Sequence, residues 1–175
     1  MLALALNVLA DLAYLRVFEN NNFLYNIISI VRLFSFMWFF SFFYVPRRKN
    51  VRSTLFFILA CLILLNFTIL ESFKNFSSNI FTLEGIVLLS YSVIYFLKKL
   101  KSEELSSGFD ASLYIVTALA IYEAVCFPIF LFFDTLMKNT EDYAVDIWGV
   151  HNIAYIVFCL FIARAFYGSS RHANN

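Results

Sequence analysis

Glycine and proline are almost missing from this chain: 4 Gly and 2 Pro in 175 residues. That excludes a glycine-rich phosphate cradle and a proline- or glycine-rich linker. It also leaves few places for the broken helices on which many transporters build a midplane site. Three cysteines, Cys61, Cys126 and Cys159, each sit inside an apolar run with no CxxC or Cys/His spacing. They predict no disulfide framework and no metal centre. A charge excess is absent as well, with 13 Lys+Arg against 12 Asp+Glu, and with it any electrostatic case for nucleic acid as a partner. What the chain has is apolar surface: 62% hydrophobic residues, 20% aromatic and 23 Phe. A soluble domain of this size cannot bury so much, whereas a bilayer solvates it.

The apolar residues fall into six runs, and the sequence predicts an all-α integral membrane protein, a single bundle of six transmembrane helices over 1–175 joined by short loops. The helices are expected at about 2–18, 23–45, 53–71, 80–97, 111–133 and 146–167. Each is near the ~20 residues that cross about 30 Å of hydrocarbon at 1.5 Å per residue. Period-two alternation is lacking and the runs are too long for tilted barrel strands. The first run has no basic segment before it and no convincing cleavage site, so it is expected to stay as a helix. Pro46 is placed to end the second helix and Asp110 to cap the fifth.

Orientation follows from the connectors. Arg47, Arg48, Lys49 and Arg52 lie between the second and third runs, and Lys98, Lys99 and Lys101 between the fourth and fifth. The opposite connectors are poor in bases and hold Glu19, Glu71, Asp134, Glu141, Asp142 and Asp146. Lys and Arg are retained on the cytoplasmic side, so both termini are expected in the cytoplasm of a bacterial inner membrane. The two basic connectors form a candidate cytoplasmic surface for a partner or for anionic lipid.

Six ionisable groups interrupt the runs: Asp11, Arg32, Glu84, Glu123, His151 and Arg164. Each costs at least about 2.5–3.5 kcal/mol in hydrocarbon, so each needs a partner or water. Counting from helix ends puts the first five in the outer half of the membrane and Arg164 near the inner end, where it snorkels. Helical spacing widens these groups into stripes: Asn7, Asp11 and Tyr14; Tyr25, Ser29 and Arg32; Glu84, Tyr91 and Tyr95; His151 with Asn152 and Tyr155. Asp11, Arg32, Glu84, Glu123, His151 and Asn152 are the candidate ligand-binding or polar-network residues. The plainest reading is a network that fixes helix packing, and the sharper one is a polar cavity open to the outside. HExxH, HxxxH and GxSxG are absent, and one His with scattered acids is a poor zinc set, so neither a catalytic residue, a metal nor a cofactor is expected.

FTLEGIVLLSYSVIYFLKKL (81–100), IWGVHNIAYIVFCLFIARAFY (147–167) and the opening LADLAYLRVFENNNFLYNIISIVRLF (9–34) resemble helices of a small multi-pass membrane protein family of Bacteroidetes-type bacteria. The resemblance marks Glu84, Trp148, His151 and Asn152. This chain departs from it at Arg32, where the family is acidic, and at 109–112, where Phe-Asp-Ala-Ser replaces a Phe-Trp-like start. Family members are often encoded near sensor histidine kinases, which implies membrane signalling by association alone.

The expected function is therefore non-enzymatic: a sensory, accessory or scaffolding subunit that touches the lipid bilayer and a membrane protein partner such as a sensor kinase. The alternatives are an ion or proton channel or carrier, including a homo-oligomeric pore, and an intramembrane lipid-modifying enzyme.

Overall fold

The structure is a computed structural model that describes residues 22–44, 49–101, 110–133, 135–136 and 144–173. Among these residues everything regular is helical. The helices are α1 (Asn22–Tyr44), α2 (Lys49–Leu65, continued by one π-helical turn, Asn66–Leu70), α3 (Ser78–Lys101), α4 (Ala111–Leu131) and α5 (Ala144–Ala173). All five contain a stretch long and apolar enough to cross a membrane: Asn22–Phe43, Ser53–Leu70, Ser78–Lys101, Ala111–Leu131 and Asp146–Ser169. Five such helices stand where the sequence predicts six; the expected 2–18 helix lies outside the described residues, as do Asp11, Pro46, Arg47 and Arg48.

Helix ends differ from the expected ones for physical reasons. Hydropathy marks where hydrocarbon ends, and a helix need not stop there. α2 begins at Lys49 and includes Arg52, and α5 runs on through Arg171 to Ala173. α3 continues to Lys101, with Lys98, Lys99 and Lys101 in its last turn, where cations complement the helix dipole. α4 is shorter than expected. Pro128 lies inside its last turn and donates no backbone hydrogen bond, and Phe132 ends the helix at φ −102° and ψ 10°.

The chain divides into two compact units, Met1–Glu84 and Gly85–Asn175, with the boundary inside α3. In the first unit α1 buries Asn26, Ser29, Leu33, Met37 and Phe40, a stripe at three- and four-residue steps. Phe56 of α2 stacks on Phe34 at 5.6 Å between ring centres and meets Trp38 edge-on at 6.5 Å. In the second unit the buried stripe of α4 is Val116, Leu119, Tyr122, Cys126 and Phe130, and α5 contributes Ala154, Phe158 and Ala165. The small α5 residues permit close approach, which membrane helices need because lipid competes equally well for larger apolar side chains. Gly85 does the same on α3: a Cβ there would stand 2.9 Å from Cδ2 of Phe127.

Candidate functional site

The structure brings two of the sequence-predicted residues into direct contact. Arg32 on α1 and Glu84 on α3 form a two-pronged ion pair, Nε to Oε1 and Nη2 to Oε2, the latter at 2.8 Å. Ser29, one turn before Arg32, donates to the same Oε2 at 2.6 Å. Arg32 is 4% exposed and Glu84 and Ser29 are fully buried. The helical periodicity that set Ser29 and Arg32 on one face is what aims both at a single carboxylate. Guanidinium and carboxylate match as planar forks, so each charge is neutralised over two bonds.

Above this pair sits a second polar group that sequence reasoning passed over. Asn26, one turn before Ser29, donates through Nδ2 to the carbonyls of Phe73 (3.0 Å) and Asn75 (2.7 Å) and accepts from the Ser77 amide (3.0 Å). Asn66, first residue of the π-turn, donates to Oε2 of Glu71 and to Oγ of Ser77, both at 3.1 Å. Ser77 in turn donates to Glu71 and accepts from the Ile80 amide at 3.3 Å, so it N-caps α3. Glu71 also accepts from Ser78 Oγ and from the Asn79 amide, both at 3.4 Å, adding its negative charge to the helix N-terminus. The 71–77 loop is thereby tied to α1 and to both helices it joins. The available signal was two Asn residues inside apolar runs, which a search for ionisable groups alone does not register.

In the second unit His151 is half-buried on α5 among rings. Trp148 stacks on it at 5.1 Å, and Phe130 (5.4 Å) and Tyr122 (5.8 Å) meet it edge-on from α4. Cys126 Sγ lies 3.4 Å from Nδ1. Glu123 is 1% exposed on α4. Asn152, next to His151 and so about 100° round the helix, is exposed. The six expected polar-network residues therefore divide: Arg32 and Glu84 meet in the first unit, while Glu123, His151 and Asn152 belong to the second, and Asp11 is outside the described residues. Among the described residues no cluster of three or more His, Cys, Asp or Glu is placed to hold a metal.

The expected cytoplasmic basic surface is described in part. Lys98 and Lys101 are exposed. Lys99 is turned to Asp110 in an ion pair. Asp110 caps α4 as expected, its Oδ1 accepting from the amides of Ser112 (2.9 Å) and Leu113 (3.3 Å) and from Ser112 Oγ (2.6 Å). Tyr95 of α3 shares a 2.7 Å hydrogen bond with the same Ser112 hydroxyl. Partial burial raises the Asp110 carboxyl, but the bonds from Lys99, Ser112 and Leu113 and the Lys99 charge outweigh it and hold it below its ordinary value. Lys49 and Arg52 lie in the first turns of α2.

Compared with protein-family models, with curated proteins and with solved structures, the chain matches none.

Proposed function

We propose that this chain is a non-enzymatic, multi-pass protein of a bacterial inner membrane, with six spans and both ends in the cytoplasm, acting as a sensory, accessory or scaffolding subunit. The observation that carries this reading is the closed state of the Arg32–Glu84 pair. A carrier or pore needs intramembrane charges that exchange with water or cargo. Here a carboxylate at zero exposure accepts two bonds from one guanidinium and a third from Ser29, so it is occupied by the protein itself. A pair closed in this way fixes how α1 and α3 meet, and fixing helix positions is what a scaffold or a signalling subunit requires.

The half-buried His151 among Trp148, Tyr122 and Phe130 supports the sensory side of the proposal, because it is a titratable polar group packed against aromatic rings and still partly exposed. The basic ends at Lys98 and Lys101 supply the output side. The partner in this reading is a second membrane protein, such as a sensor kinase, and the alternative is a second copy of this chain.

The test joins three measurements on Arg32→Gln, Glu84→Gln and the charge-exchanged Arg32→Glu, Glu84→Arg protein: abundance in membranes, capture of a membrane partner by in-cell cross-linking, and proton or ion flux in proteoliposomes. The single variants should fall in abundance and the exchange should recover part of it, with flux at the level of empty vesicles throughout. Flux in the wild type that Glu84→Gln abolishes at normal abundance would overturn the proposal in favour of a carrier.

A further inference from the structure

Arg164 is a charge of a different kind from Arg32. It stands inside the apolar span of α5, roughly 7 Å short of its end at Ser169, and it is exposed. Among the described residues it makes no hydrogen bond or ion pair. Around it α5 offers apolar surface to its surroundings: Leu160 is 64% exposed and Phe166 67%. Tyr167, at i+3 and hence on the same face as Arg164, is 63% exposed. Among the described residues it is a permanent cation on an outward apolar face that meets no protein anion. A guanidinium in that position reaches along its stem to the headgroup layer, and its five donors match the oxygens of a phosphate. The tyrosine ring one turn on belongs at the same depth, its hydroxyl a further donor. α3 ends, and α4 begins, on the side of the membrane where α5 ends, because each crosses once. So the exposed Lys98 and Lys101 add positive charge to the same leaflet.

We infer that Arg164 and Tyr167 form a seat for the phosphate of an anionic phospholipid in the leaflet that faces the basic ends of α3 and α5. The occupant is a lipid, not a soluble anion, because Leu160 and Ile153, at i−4 and i−11 on the Arg164 face and 64% and 65% exposed, offer the acyl chains an apolar wall that continues from the headgroup contact into the hydrocarbon. Charge complementarity selects an anionic lipid over a zwitterionic one, since a choline group brings its own cation to the same place. The inference rests on the reading of α3, α4 and α5 as membrane spans and on nothing else in the proposed function.

The test uses the full chain purified in a mild detergent and native mass spectrometry to count retained lipid. The probes are phosphatidylglycerol and phosphatidylcholine of identical chains, with inorganic phosphate as a competitor. The wild type should retain phosphatidylglycerol in preference to phosphatidylcholine. Arg164→Gln should lower phosphatidylglycerol retention about fivefold, the size expected for one basic residue at an anionic surface. Arg164→Lys should keep part of the preference, and millimolar inorganic phosphate should leave it untouched. Equal retention of the two lipids by the wild type, an unchanged preference in Arg164→Gln, or displacement by inorganic phosphate would each overturn the lipid seat. Resistance of the wild type to alkaline extraction from membranes is measured alongside. Its loss would mean that the membrane reading itself fails, whereas its persistence with no lipid preference would reject the seat alone.

Discussion

Asn26 engages both amide hydrogens and its carbonyl with a loop about fifty residues away in sequence, between Phe73 and Ser77. Asn26→Leu keeps the volume and strips two carbonyls and an amide of their partner, at about 1–3 kcal/mol for each group that water does not reach. Its signature should be a lower melting temperature in detergent together with faster deuterium exchange at the Ser77 amide, and unchanged exchange there would exclude the role given to Asn26. Arg32→Gln leaves the Glu84 carboxylate buried without its cation, and loss of one member of such a pair costs about 3–5 kcal/mol. Replacing both, as Arg32→Met with Glu84→Leu, should recover much of that loss in thermal denaturation. At Gly85 an added methyl would meet the Phe127 ring at 2.9 Å, so Gly85→Ala should destabilise by about 1–3 kcal/mol, and Gly85→Ala with Phe127→Leu by less. Arg32 and Glu84 could be named from sequence because a charge inside an apolar run stands out. Asn26 and Asn66 could not, because their partners are loop atoms that only the folded chain brings near. The Cys126–His151 contact was hidden in the same way, since 25 residues separate the two and neither is part of a motif.

The elements themselves were legible where hydropathy and capping agree. Asp110 illustrates this: an acid directly before an apolar run, it caps α4 and pairs with Lys99. Its carboxyl is held below the ordinary value, so its contribution to stability is complete at pH values above the unfolded carboxylate range and disappears as the pH falls through the depressed folded value. Asp110→Ala should lower the melting temperature at neutral pH, by a loss of about 1 kcal/mol for the cap. The gap between mutant and wild type should close on acidification, whereas a gap constant down to strongly acid pH would rule out the charged cap. Helix ends without such a signal were misplaced, as at Lys49 and Ala173, because the change from hydrocarbon to water alters which residues are favoured without breaking the helix. The π-turn at Asn66–Leu70 was not foreseeable either. It is held by the bond from the Glu71 amide to the Asn66 carbonyl at 2.9 Å and by the side-chain network beside it.

For the whole molecule, the alternation of basic and base-poor connectors predicts which loops face the cytoplasm. The exposed Asn75 in the 71–77 loop and Asn50 near the start of α2 are predicted to report on opposite sides. In a chain whose three cysteines have been replaced, a cysteine at position 75 should react with an impermeant maleimide on intact cells, and one at position 50 only after permeabilisation. The reverse pattern would invert the orientation proposed above. The continuation of α5 through Ala173 bears on anything joined beyond it. A helix that does not stop at the membrane surface acts as a stiff spoke, carrying angle as well as position. A domain fused after Ala173 in unbroken helix would have its azimuth set by residue count. Each residue inserted at the junction would swing it by about 100° and lift it by about 1.5 Å. Output that rises and falls with a helical period across such an insertion series would identify rotation or tilt of α5 as the motion that is read, and a flexible tether in the same place would flatten the wave.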